Sequence, residues 1–263
     1  MRIYFFSSRL LRLSGMVLLL VGAFFAASIL YFHGTGVAAH QKKPVYQGNT
    51  GKKVVALTVN VDWGEEFIPA MLKEFKKNDA SVTFFVTGKW AEKHPELLKQ
   101  MSKEGHSIQN HGYKHLHFNQ LSREQTQEQI KKAEDIIFKA TGKRSRYFAP
   151  PYGEFEDQLV ENVTDMGYLY LMWSADTIDW QRPAPEVIVQ RVLKRVHNDA
   201  IVLMHPTDPT VKALPAMLGG LKNEGYKMIT IDEMMSGACQ DKPCNKKECD
   251  DKKCNDKAKA GSQ

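Results

Sequence analysis

The sequence predicts an α/β domain built on a mainly parallel sheet, either open or closed into a barrel. Between residues 53 and 235, short β-branched or aromatic runs alternate with longer segments whose apolar residues recur at helical spacing. The loop after the first run, Val59-Asn60-Val61-Asp62-Trp63-Gly64, lacks the glycine-rich phosphate cradle of a dinucleotide fold. The same stretch carries nearly all the periodic apolar pattern, and one core of that length buries roughly 70% of its unfolded surface.

Each element has its own signal. Val54-Val55-Ala56-Leu57-Thr58-Val59 is a compact β-branched strand. Phe67 to Lys77 is a helix, apolar at 67, 68, 71, 72 and 75. Val82 to Val86 is strand-like. Trp90 to Lys103 is helical, with Leu97, Leu98 and Met101 on one side. Leu121 to Ala140 is a longer amphipathic helix. Tyr168 to Trp173 and Ile201 to Met204 are buried-type strands, with a helix at Val187 to Val196 between them. Leu214 to Leu221 is the next helix, closed by Gly225, and Met228 to Ile231 the last strand.

Composition narrows the class. The 263 residues are 43% hydrophobic, 25% charged and 10% aromatic, which excludes a disordered chain, a collagen and a polytopic membrane protein. A formal charge of +6 suits an anionic surface such as a cell wall, lipid headgroups or nucleic acid, and chooses none of them. Arg2, Arg9 and Arg12 precede an uncharged apolar run of 17 residues, Met16 to Phe32, the pattern of a signal anchor or a cleaved signal peptide. Val37-Ala38-Ala39 is a passable cleavage site. Either way the remainder is expected on the extracytoplasmic face of the cell membrane, or secreted to the cell wall. Residues 1–32 are thus the anchor or signal, 33–52 a polar tether, 53–235 the domain and 236–263 a tail. All four cysteines fall in that tail, in the five-residue units CQDKP, CNKKE, CDDKK and CNDKA. With nothing to bury, the tail is expected to be disordered. Its readings are a solvated appendage, disulfide links or soft-metal capture.

Polar residues gather where the strands end. Asn60 and Asp62 follow the first strand, His111 and His115 follow Ser107-Ile108-Gln109, and Pro150-Pro151-Tyr152-Gly153 follows Tyr147-Phe148. Asp176 and Asp179-Trp180 follow Tyr168 to Trp173, and His205 follows Ile201 to Met204. In a parallel barrel these all converge on the C-terminal rim. On a helical turn, His111 and His115 share a face and suit one divalent metal, with Asp62 an available carboxylate. The alternative is surface histidines near a turn. His205 is a candidate general acid, with Asp176 its candidate carboxylate partner, or else a hydrogen-bonded core residue. Asp179-Trp180 reads equally as a turn with a packed indole.

Taken in order, these residues resemble the NodB-homology polysaccharide deacetylases, carbohydrate esterase family four, and most of all their sporulation-associated branch. The carriers are Val55-Ala56-Leu57-Thr58, Thr83-Phe84-Phe85-Val86, Asn110-His111-x-Tyr113-x-His115, Phe148-Ala149-Pro150-Pro151-Tyr152-Gly153, Asp176-Thr177-Ile178-Asp179-Trp180 and Ile201-Val202-Leu203-Met204-His205. The resemblance implies a distorted (β/α) barrel, a divalent metal (commonly zinc), and hydrolysis of N-acetyl groups of N-acetylglucosamine in peptidoglycan or a related cell-wall glycan. The expected partners are that glycan and, through the N-terminal helix, the membrane, with no nucleic acid. It implies that His111, His115 and an aspartate hold the metal, that a second aspartate activates water, and that His205, tuned by Asp176, protonates the leaving amine. Tyr152 would offer its backbone N–H to the oxyanion, and Trp180 and Leu203 would shape the acetyl pocket.

The chain departs from the family at two points. The family's Thr-Phe-Asp-Asp-Gly is here Thr58-Val59-Asn60-Val61-Asp62-Trp63-Gly64, so with Thr58 in register Asn60 takes the base position. The arginine expected just before Pro-Pro-Tyr-Gly is Ala149. An amide takes no proton at neutral pH, and an arginine beside it would lack its counter-charge. Asp62 remains open as metal ligand, as substitute base, or as neither, with Glu65 and Glu66 as further base candidates or simply the acidic opening of the next helix. The function expected is a polysaccharide deacetylase with impaired hydrolysis. The alternative is a catalytically inactive relative acting as a cell-wall glycan-binding or assembly protein.

Overall fold

The structure, a computed structural model, describes residues 43–238. The apolar run expected as an anchor, residues 33–42 of the tether, and the tail from residue 239 onward lie outside the described residues. Among those described, no helix is long and apolar enough to cross a membrane.

Strand β1 (Val54–Val61) is buried along its whole length. Its neighbours are β2 (Thr83–Val86), β3 (Ser107–Asn110), β4 (Tyr147–Phe148) and β5 (Leu169–Tyr170) on one side, and β7 (Ala200–Met204) then β6 (Ala175–Asp176) on the other. β8 (Lys227–Ile229) pairs with the N-terminal half of β1, whose C-terminal half pairs with β2. Every pairing is parallel. The result is a curled, incompletely closed barrel wrapped by helices, as the sequence predicts.

Side-chain alternation along β1 explains how both faces are filled. Val55, Leu57, Val59 and Val61 pack outward against the helices, with Met71, Leu72 and Phe75 of α1 (Ile68–Lys77) and Leu214, Met217 and Leu218 of α7 (Asp208–Asn223). Val54 and Ala56 point inward, with Phe85, Ile201 and Ile229, onto Ile231 and Met234 of α8 (Ile231–Ala238). Thr58 and Asn60 continue that inward row towards the C-terminal rim.

The helix expected over Trp90 to Lys103 is two helices, α2 (Gly88–Lys93) and α3 (Pro95–Lys103), because Pro95 cannot continue the first one. The longest, α4 (Arg123–Thr141), begins with a capping box of Ser122 and Gln125 and ends at Gly142 in the left-handed region. The remaining helices are α5 (Asp157–Asp165) and α6 (Pro185–Arg195).

The tether reading fails for its C-terminal part. Val45 pairs with Leu171, and Gln47 with Ala200, so this segment fills the seam where the barrel does not close. Asp199 fastens it, its carboxylate accepting from the Thr50 backbone N–H (2.9 Å), the Thr50 hydroxyl (2.5 Å) and the Gly51 N–H (3.0 Å).

Candidate active site

Most of the predicted rim residues come together, but Asp62 and Asp179 do not line the cavity they form. A cavity of about 490 Å³ opens there, lined by Asn60, His111, His115, Trp180, Leu203 and His205 among others. β1, β3 and β7 each end at it.

His205 follows β7, and its Nδ1 lies 2.8 Å from Asp179 Oδ1. Asp179 is fully buried, and its Oδ2 also accepts from the His205 backbone N–H (2.7 Å) and the Thr210 hydroxyl (2.6 Å). The carboxylate therefore fixes the ring with Nε2 left for proton exchange. Asp176, expected as this partner, instead accepts from the Ile178 N–H (2.8 Å) and the Trp173 indole N–H (3.2 Å). Register explains the correction. Asp176 pairs with Leu203, two residues short of His205. A tight turn, with Ile178 and Arg182 both left-handed at φ 53°, brings Asp179 back beneath the imidazole. The indole beside it is not packed: Trp180 is 56% exposed and lines the cavity.

His111 and His115 lie on a loop and not on a helical turn. Gly112 sits at φ 78° between them, and a Cβ there would meet the Phe118 ring at 2.6 Å. The rings still meet, with centres 5.2 Å apart. His111 Nδ1 donates to the Ala149 carbonyl at 2.6 Å, which fixes the tautomer and leaves Nε2 as a donor to a cation. Burial pushes His111 down to about 3, and burial likewise lowers His115, opposed by the negative charge of Asp62. Two neutral imidazoles with ring centres this close are donors of the kind a divalent metal takes. The third ligand is not assembled beside them: among the described residues no group of three His, Cys, Asp or Glu stands as a metal cage. Asp62 Oδ1 accepts from the Thr87 hydroxyl at 2.8 Å, and Val61, wholly buried against the helices, takes the place of the family motif's second aspartate.

Burial of neutral histidines has a measurable consequence. His106, whose Nδ1 accepts from the Val82 N–H, is also pushed down by burial, to about 4. The unfolded chain protonates both His106 and His111 near pH 6.5, whereas the folded domain holds off to about 4 and about 3. Stability is therefore expected to be complete above pH 6.5 and to be lost as pH falls, by up to about 1.4 kcal/mol per pH unit for each group. Urea denaturation between pH 7 and pH 4.5 measures this slope, and a flat profile would contradict it.

Tyr152 occupies a tight turn at φ 61°, its ring 58% exposed. The ring stacks on His117 (4.0 Å, 11°) and stands edge-on to His115 (4.5 Å, 72°). His117 Nδ1 is 2.5 Å from Glu154 Oε1. The sequence reading gives no role to His117, Glu154 or Trp63, and of these three it is Trp63 that lines the cavity. The last shows only as an exposed aromatic inside the first motif.

Asn60 is 6% exposed, and its buried Oδ1 has no hydrogen-bond partner. Ala149 is buried too, so no cation reaches that oxygen from its side chain. Glu65 and Glu66 do not line the cavity, and α1 opens without an acidic residue in its first turn. Glu65 lies 3.8 Å from His94 instead.

A polysaccharide deacetylase profile matches residues 47–171. The chain is 40% identical over 195 residues to YlxY of Bacillus subtilis, covering 74% of this chain and 61% of that protein. It is 30% identical over 202 residues to a peptidoglycan-N-acetylglucosamine deacetylase of Bacillus cereus, covering 75% of this chain and 74% of that one. The crystal structure of BA3943 from Bacillus anthracis, described as a CE4 family pseudoenzyme, superimposes with a TM-score of 0.71 at 41% identity, over 74% of this chain and 69% of that one. A mutant of BA3943 with restored enzymatic activity gives the same TM-score at 39% identity, covering 74% of this chain and 71% of that one. Fold, rim and sequence agree, and the chain belongs to the polysaccharide deacetylases of carbohydrate esterase family four.

Proposed function

We propose that this domain binds N-acetylated peptidoglycan glycan in a deacetylase cleft and hydrolyses it slowly at best. Asn60 carries the reading: a buried amide oxygen without a partner, at the place where hydrolysis needs a proton acceptor. The neighbouring groups support the reading. His205, held by Asp179, would protonate the departing amine. The Tyr152 backbone N–H would donate to the oxyanion, while Trp180 and Leu203 flank the acetyl group. His111 and His115 would hold a divalent cation, with Asp62 the nearby carboxylate and zinc the expected ion. Such an ion, when bound, polarises the acetamido carbonyl. What Asn60 cannot do is take the proton of the attacking water, a loss worth roughly 10²- to 10⁴-fold in rate. The kinship to a pseudoenzyme whose mutant regained activity supports placing the defect in a few residues. The N-terminal apolar run would tether the domain outside the cytoplasmic membrane, within reach of the wall.

Calorimetry with N-acetylated peptidoglycan oligosaccharides, paired with an acetate-release assay beside the Bacillus cereus deacetylase, tests this. Binding is expected, with release at least about 10²-fold slower than that of the relative. Failure to bind, or release at the relative's rate, would overturn the reading.

A further inference from the structure

We propose that Trp63 and Arg182 form a subsite for a carboxylate-bearing sugar beside the acetamido pocket, so that the cleft prefers acidic glycan strands to neutral N-acetylglucosamine polymers. The inference rests on the glycan-binding reading above and adds the identity of the neighbouring sugar.

Trp63 lines the cavity and is 40% exposed. Its ring lies parallel to the His205 imidazole, tilted by 8° with centres 6.3 Å apart. The loop beneath it is fixed. Gly64 sits at φ 84°, so close to the next strand end that a Cβ there would meet the Pro206 carbonyl oxygen at 2.3 Å. Trp63 is thus presented rigidly at the flank of His205.

Arg182 comes from the turn that carries Asp179. Its backbone N–H donates to the Asp179 carbonyl at 2.8 Å, and its guanidinium carbon stands 5.9 Å from the centre of the Trp63 ring. Among the described residues no carboxylate lies within salt-bridge distance of it. Arg191, below the same turn, differs: its guanidinium donates to the Thr177 carbonyl at 2.9 Å and serves the fold. Arg182 lies over the Trp63 ring with no carboxylate of its own, which leaves its hydrogen-bond donors to a ligand.

The two side chains ask for one kind of occupant. An indole 40% exposed offers apolar area to the edge or face of a pyranose, and the guanidinium over its ring takes a carboxylate through paired hydrogen bonds. With an acetamido sugar at His205, the sugar on Trp63 is its chain neighbour. In a strand where N-acetylglucosamine alternates with a lactyl-ether sugar, that neighbour bears a carboxylate wherever its lactyl group carries no peptide. In a chitin-like polymer it bears none.

The test is calorimetry on the full chain with a peptidoglycan tetrasaccharide carrying free lactyl carboxylates and with chitotetraose. The parent is expected to favour the acidic ligand by about 5-fold or more. Arg182→Gln should bring that ratio close to one, and Arg182→Lys should retain part of it. Trp63→Ala should weaken both ligands together. A parent that binds the two equally, or a ratio untouched by Arg182→Gln, overturns the subsite alone. A parent that binds neither overturns the glycan reading and the subsite with it.

Discussion

With Asn60→Asp and Ala149→Arg made together, acetate release from N-acetylglucosamine oligomers in the presence of zinc or cobalt is expected to rise roughly 10²- to 10⁴-fold. Neither change should achieve this alone. Position 60 is 6% exposed, and the amide oxygen already lacks a donor. An aspartate there would be desolvated and uncompensated, and would tend to stay protonated at neutral pH. An arginine at 149, which is 3% exposed, would be a buried charge without its partner. Each single variant should therefore lose stability, by up to about 3–5 kcal/mol, and the pair should recover much of it. A double-mutant cycle in both rate and urea midpoint measures the coupling. If Asn60→Asp alone matches the pair, the arginine has no part in the site. If the pair stays silent, Asn60 does not stand at the base position.

Asp179→Ala is expected to destabilise the domain by about 3 kcal/mol, lowering Tm by roughly 6–12 °C, whereas Asp176→Ala should cost far less. Asp179 has no exposure and takes hydrogen bonds from His205 twice and from Thr210 once. Truncating it strands a backbone donor, a hydroxyl and an imidazole N–H in a dry site. In the activated Asn60→Asp, Ala149→Arg background the same change should lower acetate release about as much as His205→Ala, because a ring free to rotate presents the wrong nitrogen. Calorimetric melting and the release assay check both halves. Equal effects of the two alanine variants would return Asp176 to the role that the sequence alone suggested.

What could be read from the chain followed the range of the forces involved. β1 announces itself because both its faces are buried and β-branched residues fill them. The two-residue strands β4 and β6 carry no periodicity of their own, and β5 is only part of the Tyr168 to Trp173 run. Their place is set by neighbours far away in sequence. α5 leaves no clear mark in the sequence because Leu159, Val160 and Val163 are too few to define a face. α8 was hidden because its first residue, Ile231, reads as the end of the preceding strand. In the site, His111, His115 and His205 were legible from residue type and position after a strand. The choice of Asp179 over Asp176 was not, since it turns on two left-handed residues that no local pattern demands. Asn60 is the reverse case, a departure visible in the sequence that the structure turns into a buried oxygen without a donor.

The segment from Val45 to Gly51 fixes when the protein can finish folding. Its grip on Asp199 closes a loop of about 150 residues, with 149 positions separating Thr50 from the carboxylate that holds it. The earliest part of the domain to be synthesised is therefore among the last to find its place, and until then the β5 and β7 edges stay open. Long-range closures of this kind are slow, and unsatisfied strand edges recruit other chains. A nascent copy waiting for residue 199 is the species most exposed to aggregation, and to whatever chaperone meets it first.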